Sequence, residues 1–227
     1  MFDRSQPLEF GTTSATVRQS VMGHAMSLLG VAFLCTAGGA LIGIQIGPAA
    51  FVLSIVGTIG TLIALLVARE KSPANLWLMY AFATFEGMAL GLILQSYVQL
   101  GMGSVVLDAA ATTGAVALAA GSYGAGTKRD LSSLGSILFI GLIAVVVASF
   151  IGIFVHMPLL YLGVSLAAAV LFTGFLVYDL NRIANAKSAT EGQTIMLALG
   201  VYLDILNLFL ALLRIFAAFS GGGSSRD

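Results

Sequence analysis

Three carboxylates stand inside long apolar runs of this chain: Glu86 in ATFEGMAL, Asp179 in FLVYDLNRIANA and Asp204 in VYLDILNLFLALLRIF. Arg182 follows Asp179 by one helical turn, Arg69 closes an earlier apolar run, and Arg214 ends the one that holds Asp204. If these runs cross a bilayer, an acid at the centre costs about 2.5–3.5 kcal/mol on insertion scales, so it should face protein or water. Two carboxylates sharing a dry site cannot both ionise cheaply; such a pair titrates as a unit and can share one proton. Deprotonated, it offers hard oxygen ligands that suit Ca²⁺ better than a soft metal. Two carboxylates are short of a full calcium cage, so the expected binding is weak and compatible with passage.

The elements that carry these residues follow from composition. Of 227 residues, 59% are hydrophobic and 9% charged, with mean hydropathy +1.02. A water-soluble domain carries about 25% charged residues, so the solvent for most of this surface is lipid. Runs of about 20 apolar residues give seven spans, near 22–45, 49–68, 74–97, 104–125, 133–155, 158–183 and 192–217. The expected organisation is a polar N-terminal segment over 1–21, an all-α transmembrane bundle over 22–217, and a disordered polar tail, 218–227, ending in SGGGSSRD. Connections are too short for an extramembrane domain. The polar stretch precedes the first apolar one, an order that does not fit a cleaved signal peptide.

Charge orients the bundle. Arg4, Arg18, Arg69, Lys71, Lys128, Arg129, Arg182 and Lys187 fall at the N-terminus or in alternate connections, against Arg226 in the tail. The positive-inside rule then predicts a multi-pass protein of the cell membrane, with a cytoplasmic N-terminus and an outer C-terminus. Net charge is zero, and nothing suggests a nucleic-acid partner. Cys35 has no second cysteine to pair with. Gly39 with Gly43, Gly87 with Gly91, and Gly121 with Ala125 have the spacing that lets helices approach closely in lipid, and packing within the bundle is the expected use.

Positions then sharpen the acids. Asp204 lies roughly 18 Å into the last span. Gly200, Asp204, Asn207, Ala211 and Arg214 share one face of that helix, a polar stripe expected to line the bundle interior. The last two spans form an antiparallel hairpin, so Asp179 and Asp204 lie one to two turns apart in depth and a modest tilt joins them. Arg69, at the end of the second span, and Arg182 are candidate latches on the pair. Glu86, Asn207 and Arg214 are candidates for the same path. The plain alternative is a structural pair satisfied by Arg182, Arg69 or Asn207. Asp108 fits as an acid complementing a helix N-terminus, and His24 and His156 as interfacial residues.

VYDLNRI (177–183), YLDILNLFLALLRIF (202–216) and GTKRDLSSLG (126–135) resemble signature segments of the Bax inhibitor (transmembrane Bax inhibitor motif, or lifeguard) family, in its bacterial branch. The resemblance spans nearly all of the membrane region. It implies a seven-helix fold with the seventh helix central, wrapped by the other six. It also implies a pH-sensitive calcium leak across a bacterial inner membrane, governed by a di-aspartyl pair, here Asp179 and Asp204, with Arg69 as the latch. Calcium is then the transported ion, and no tightly bound cofactor is implied. Some members carry an acid in span two, where this chain has only Thr58 and Thr61.

Two other classes compete. An interaction protein modulating a membrane-bound protease or a cell-death response, with no conduction of its own, is also implied by the resemblance. An intramembrane aspartyl protease would need Gly-x-Gly-Asp before its second acid, and the chain reads GVYLD (200–204). No Ser/His or Cys/His set or phosphate loop is present, and the chain is not expected to be an enzyme.

Overall fold

In this computed structural model the described residues are 10–127, 129, 131–155, 157–186 and 188–221, the side chains of 10–20 and 153 excepted. They form seven helices: α1 (Phe10–Ile46), α2 (Ala49–Ala68), α3 (Ala74–Gln99), α4 (Gly103–Gly126), α5 (Ser132–Val155), α6 (Pro158–Asn185) and α7 (Glu191–Gly221). All seven are long and apolar enough to cross a membrane.

The ends differ from the sequence expectation in two places. Among the described residues α1 is already helical at Phe10, ahead of the span expected at 22–45. α7 continues through 218–221, where Ala-Phe-Ser-Gly extends the last turn of the expected tail as helix. Residues 1–9 and 222–227 lie outside the described residues.

Local chemistry sets the turns. Gly47 (φ 75°) and Gly101 (φ 76°) take the left-handed conformation that ends α1 and α3 within a residue or two, a region costly for a residue with Cβ. Pro158 opens α6 at a position where its missing N–H is not needed. Thr190 and Gln193 close a capping box at the start of α7. The Thr190 Oγ1 accepts the Gln193 N–H at 3.1 Å, and the Gln193 Oε1 accepts the Thr190 N–H at 3.1 Å.

Glycines set the helix spacing. α1 and α3 run side by side, Gly39 and Gly43 lying on the backbone at Thr84 and Met88, and Gly87 and Gly91 on the backbone at Thr36 and Ala40. A Cβ at any of the four would overlap a carbonyl, so two small-xxx-small stripes interlock inside the bundle. The third pair differs: Gly121 meets the Leu180 side chain and Gly124, rather than Ala125, lies on the Val177 carbonyl of α6.

α7 is the most buried helix. α1, α3, α4 and α6 pack directly on it, whereas α2 leans on α3 and α5 leans on α6. The central helix is thus touched along its length by four neighbours, and the ring is completed at one remove. On the α1–α3 side, Tyr202 of α7 is fully buried between Phe33 and Phe82, with ring centroids 5.3 and 6.2 Å away, and its hydroxyl meets Thr36 Oγ1 at 2.8 Å. On the opposite side α5 stands off, and a cavity of about 460 Å³ separates it from α7.

Candidate ion site

That cavity is built by the polar stripe of α7. Gly200, Asp204, Asn207, Ala211 and Arg214 all line it, facing Phe172, Phe175 and Asp179 of α6 and Ser149 of α5. The five stripe positions recur at i, i+4, i+7, i+11 and i+14, one face of a helix. Leu203 and Leu210 flank the stripe along the same cavity, while Tyr202, Leu206, Leu208 and Leu213 are buried among the packed helices.

Asp179 and Asp204 are both buried, at 8% and 6% exposure. Asp179 lies level with Gly200, whose position would put a Cβ only 2.5 Å from the Asp179 Oδ2. Asp204 is one turn further along α7, about 6 Å in rise. The two acids therefore share one cavity at adjacent depths. Glycine at 200 is what admits the α6 carboxylate to the α7 surface.

Their partners are unequal. Arg182 Nη1 donates to Asp179 Oδ1 at 3.3 Å, and the guanidinium lies 5.5 Å from the centroid of the Tyr178 ring. Asp204 Oδ2 is buried and has no hydrogen-bond partner among the described residues. An unsatisfied buried acceptor costs about 1–3 kcal/mol, more if charged, and the cavity is the side from which a partner for this oxygen would come.

The remaining predicted residues separate into two groups. Asn207 and Arg214 line the acid cavity with the pair, although the Asn207 amide donates to the Leu203 carbonyl at 2.8 Å. Arg69 is exposed and makes no ion pair with Asp179; the arginine on that acid is Arg182. Arg69 instead lines a larger cavity, about 830 Å³, at the end of the bundle where α2 and α6 finish and α7 starts. It is held there by its own backbone, whose carbonyl accepts from Asn75 Nδ2 at 2.9 Å and packs on Gly192. Glu86 does not line the acid cavity. It is half-buried on α3 and within electrostatic reach of Tyr202, on the side of α7 turned away from Asp204.

Among the lesser candidates, Asp108 is the sixth residue of α4, beyond the first turn, and exposed in a cleft with Thr112 and Phe216. The N-terminal dipole therefore does not account for it. His24 is exposed, and His156 lies outside the described residues. Among the described residues no group of three or more His, Cys, Asp or Glu could hold a metal tightly, and the acid pair offers two carboxylates and one amide carbonyl. Sequence reasoning missed three contributors: Gly200 as a spacer, Tyr178 under Arg182, and Asn181, whose amide ties α6 to the Gly124 carbonyl of α4 at 2.9 Å. Only the last had a visible signal, an amide beside an arginine near a helix end.

Fold and site together define a multi-pass helical membrane protein with a buried acid pair facing an internal cavity. The family model described as Inhibitor of apoptosis-promoting Bax1 matches residues 18–221. An uncharacterized protein of Campylobacter jejuni is 31% identical over 228 residues, covering 96% of each chain. The Golgi anti-apoptotic protein of vaccinia virus is 35% identical over 172 residues, 76% of this chain and 70% of the viral one. Mouse protein lifeguard 4 is 33% identical over 171 residues, 75% and 69% respectively. The chain belongs to the Bax inhibitor family.

Proposed function

We propose that this protein is a pH-sensitive leak for calcium or a similar hard cation, gated by protonation of Asp179 and Asp204. The single observation that carries the reading is the Asp204 Oδ2: buried, unpartnered, and in a cavity beside a second acid. With one proton shared, the pair holds itself together and Arg182 stays on Asp179. With the proton gone, the two carboxylates repel and their oxygens become ligands for a passing cation. Arg182 is then the latch in contact with the pair and Arg69 a basic group at the approach. The abundance of basic residues at that end supports placing it, with the N-terminus, in the cytoplasm.

The test is calcium release from liposomes holding the full chain, stepped in pH. Wild type should leak at a rate that depends on pH, and Asp204→Asn and Asp179→Asn should each flatten that dependence. A mutant profile superimposable on wild type rules the mechanism out.

A second reading follows from the relatives' names, which concern cell death for the viral protein and the family alike. A chain that acts by contact with a membrane-bound protein, such as a protease, would use its lipid-facing helices. α2 and α5 expose the most apolar surface. Co-purification with a membrane protease and no ion flux would favour it.

A further inference from the structure

The 830 Å³ cavity at the basic end is not part of the acid cavity. Arg69 from the end of α2 and Arg182 from α6 both line it, with Glu70 the one acid among the described residues of its lining. Glu70 is engaged: its Oε2 accepts from the Thr190 Oγ1 at 3.2 Å, bracing the α2–α3 turn against the start of α7. Arg69 makes no ion pair among the described residues. Arg182 makes one, a single contact of 3.3 Å, while the Tyr178 ring supports its guanidinium from one side. A guanidinium carries five N–H donors in a planar fork, and most of those on both arginines are left without an acid.

Two arginines from separate helices lining one roomy cavity match an anion with several oxygens. A halide needs far less space, and a lone carboxylate would satisfy one fork and leave the other. Phosphate groups take bidentate arginine contacts well. A bare cation is repelled by the same pair. We propose that this vestibule binds a phosphate-bearing anion, either a free polyphosphate-type solute or a lipid headgroup, between Arg69 and Arg182.

Because Arg182 belongs both to this cavity and to the ion pair with Asp179, the two sites are linked. A multiply charged anion competes with one carboxylate for the guanidinium and draws it outward, loosening Asp179. That consequence rests on the leak reading; the binding itself does not.

Pyrophosphate titrated calorimetrically into the detergent-solubilised full chain is the direct probe. Arg69→Ala and Arg182→Ala should each weaken its binding at least tenfold. Arg182→Lys, which keeps charge but loses the fork, should fall between, and thermal unfolding identifies any variant that is misfolded. Lys71→Ala is the charge control: Lys71 is exposed on the neighbouring turn and outside the cavity lining, so it should bind as wild type does. A second arm compares thermal stability in phosphatidylcholine vesicles with and without phosphatidylglycerol. Stabilisation by phosphatidylglycerol, lost in both alanine variants and without pyrophosphate heat, assigns the ligand to the lipid. Equal pyrophosphate binding in all variants, or no response to either probe, overturns the proposal. Pyrophosphate binding in a protein that passes no calcium leaves the anion site standing and removes the leak.

Discussion

Gly200→Ala is the sharpest perturbation of the acid pair, because it adds one carbon at the point where α6 and α7 carboxyl and backbone meet. The new Cβ would lie 2.5 Å from the Asp179 Oδ2 and 3.5 Å from its Cγ, where ordinary contact begins at 3.4 Å. The Oδ2 must therefore retreat by about 1 Å, either by rotating the carboxyl or by shifting α6 outward. Overpacking of this kind typically costs about 1–3 kcal/mol, offset by about 1 kcal/mol from replacing a helical glycine with alanine. Net destabilisation of about 0–2 kcal/mol is expected, measurable as a small fall in melting temperature in detergent. The functional effect should be larger than the thermal one. Separating the carboxyls weakens the repulsion that splits their two titration steps, so the pH range over which liposome leak changes should narrow. Gly200→Ser, which adds a hydroxyl able to bond Asp179, should act less than alanine on stability but similarly on the profile. A Gly200→Ala protein with the wild-type pH profile and melting point would refute the claim that this glycine sets the acid spacing.

Other residues give simpler expectations. Gly87→Leu drives a side chain into the Thr36 carbonyl at the α1–α3 crossing and should destabilise by about 3 kcal/mol or prevent folding, read by thermal melts and expression. Tyr202→Phe removes the 2.8 Å contact with Thr36. Thr36 keeps its bond to the Ala32 carbonyl, so the loss should stay near 0.5–1.5 kcal/mol, with the leak's pH profile unchanged because Tyr202 faces away from the acids.

Periodicity and composition carried a large part of this protein. A bilayer leaves the backbone no partner but its own helix, so seven apolar runs determine seven spans whatever their packing, and the observed helices begin and end close to them. The stripe from Gly200 to Arg214 was equally legible, since a 3.6-residue period fixes which side chains share a face before any neighbour is known. Helix ends outside the apolar core were not: α1 is helical from Phe10 and α7 through Gly221, beyond the spans expected at 22–45 and 192–217.

Spacing within one helix cannot say which helix it meets, and that is where the tertiary structure decided. Arg69 and Arg182 are both plausible partners for Asp179 in the chain, but the turn holding Arg69 is pinned by Asn75 and Gly192 beside the vestibule, which leaves Arg182 to reach the acid. Glu86 lies mid-way along α3, and the packing of Phe82 on Tyr202 turns its helix to the opposite side of α7. The sequence by itself determined the spans and the polar face of α7. Which acids meet, and which arginine holds one of them, depended on helix rotation and on a glycine small enough to let two helices close.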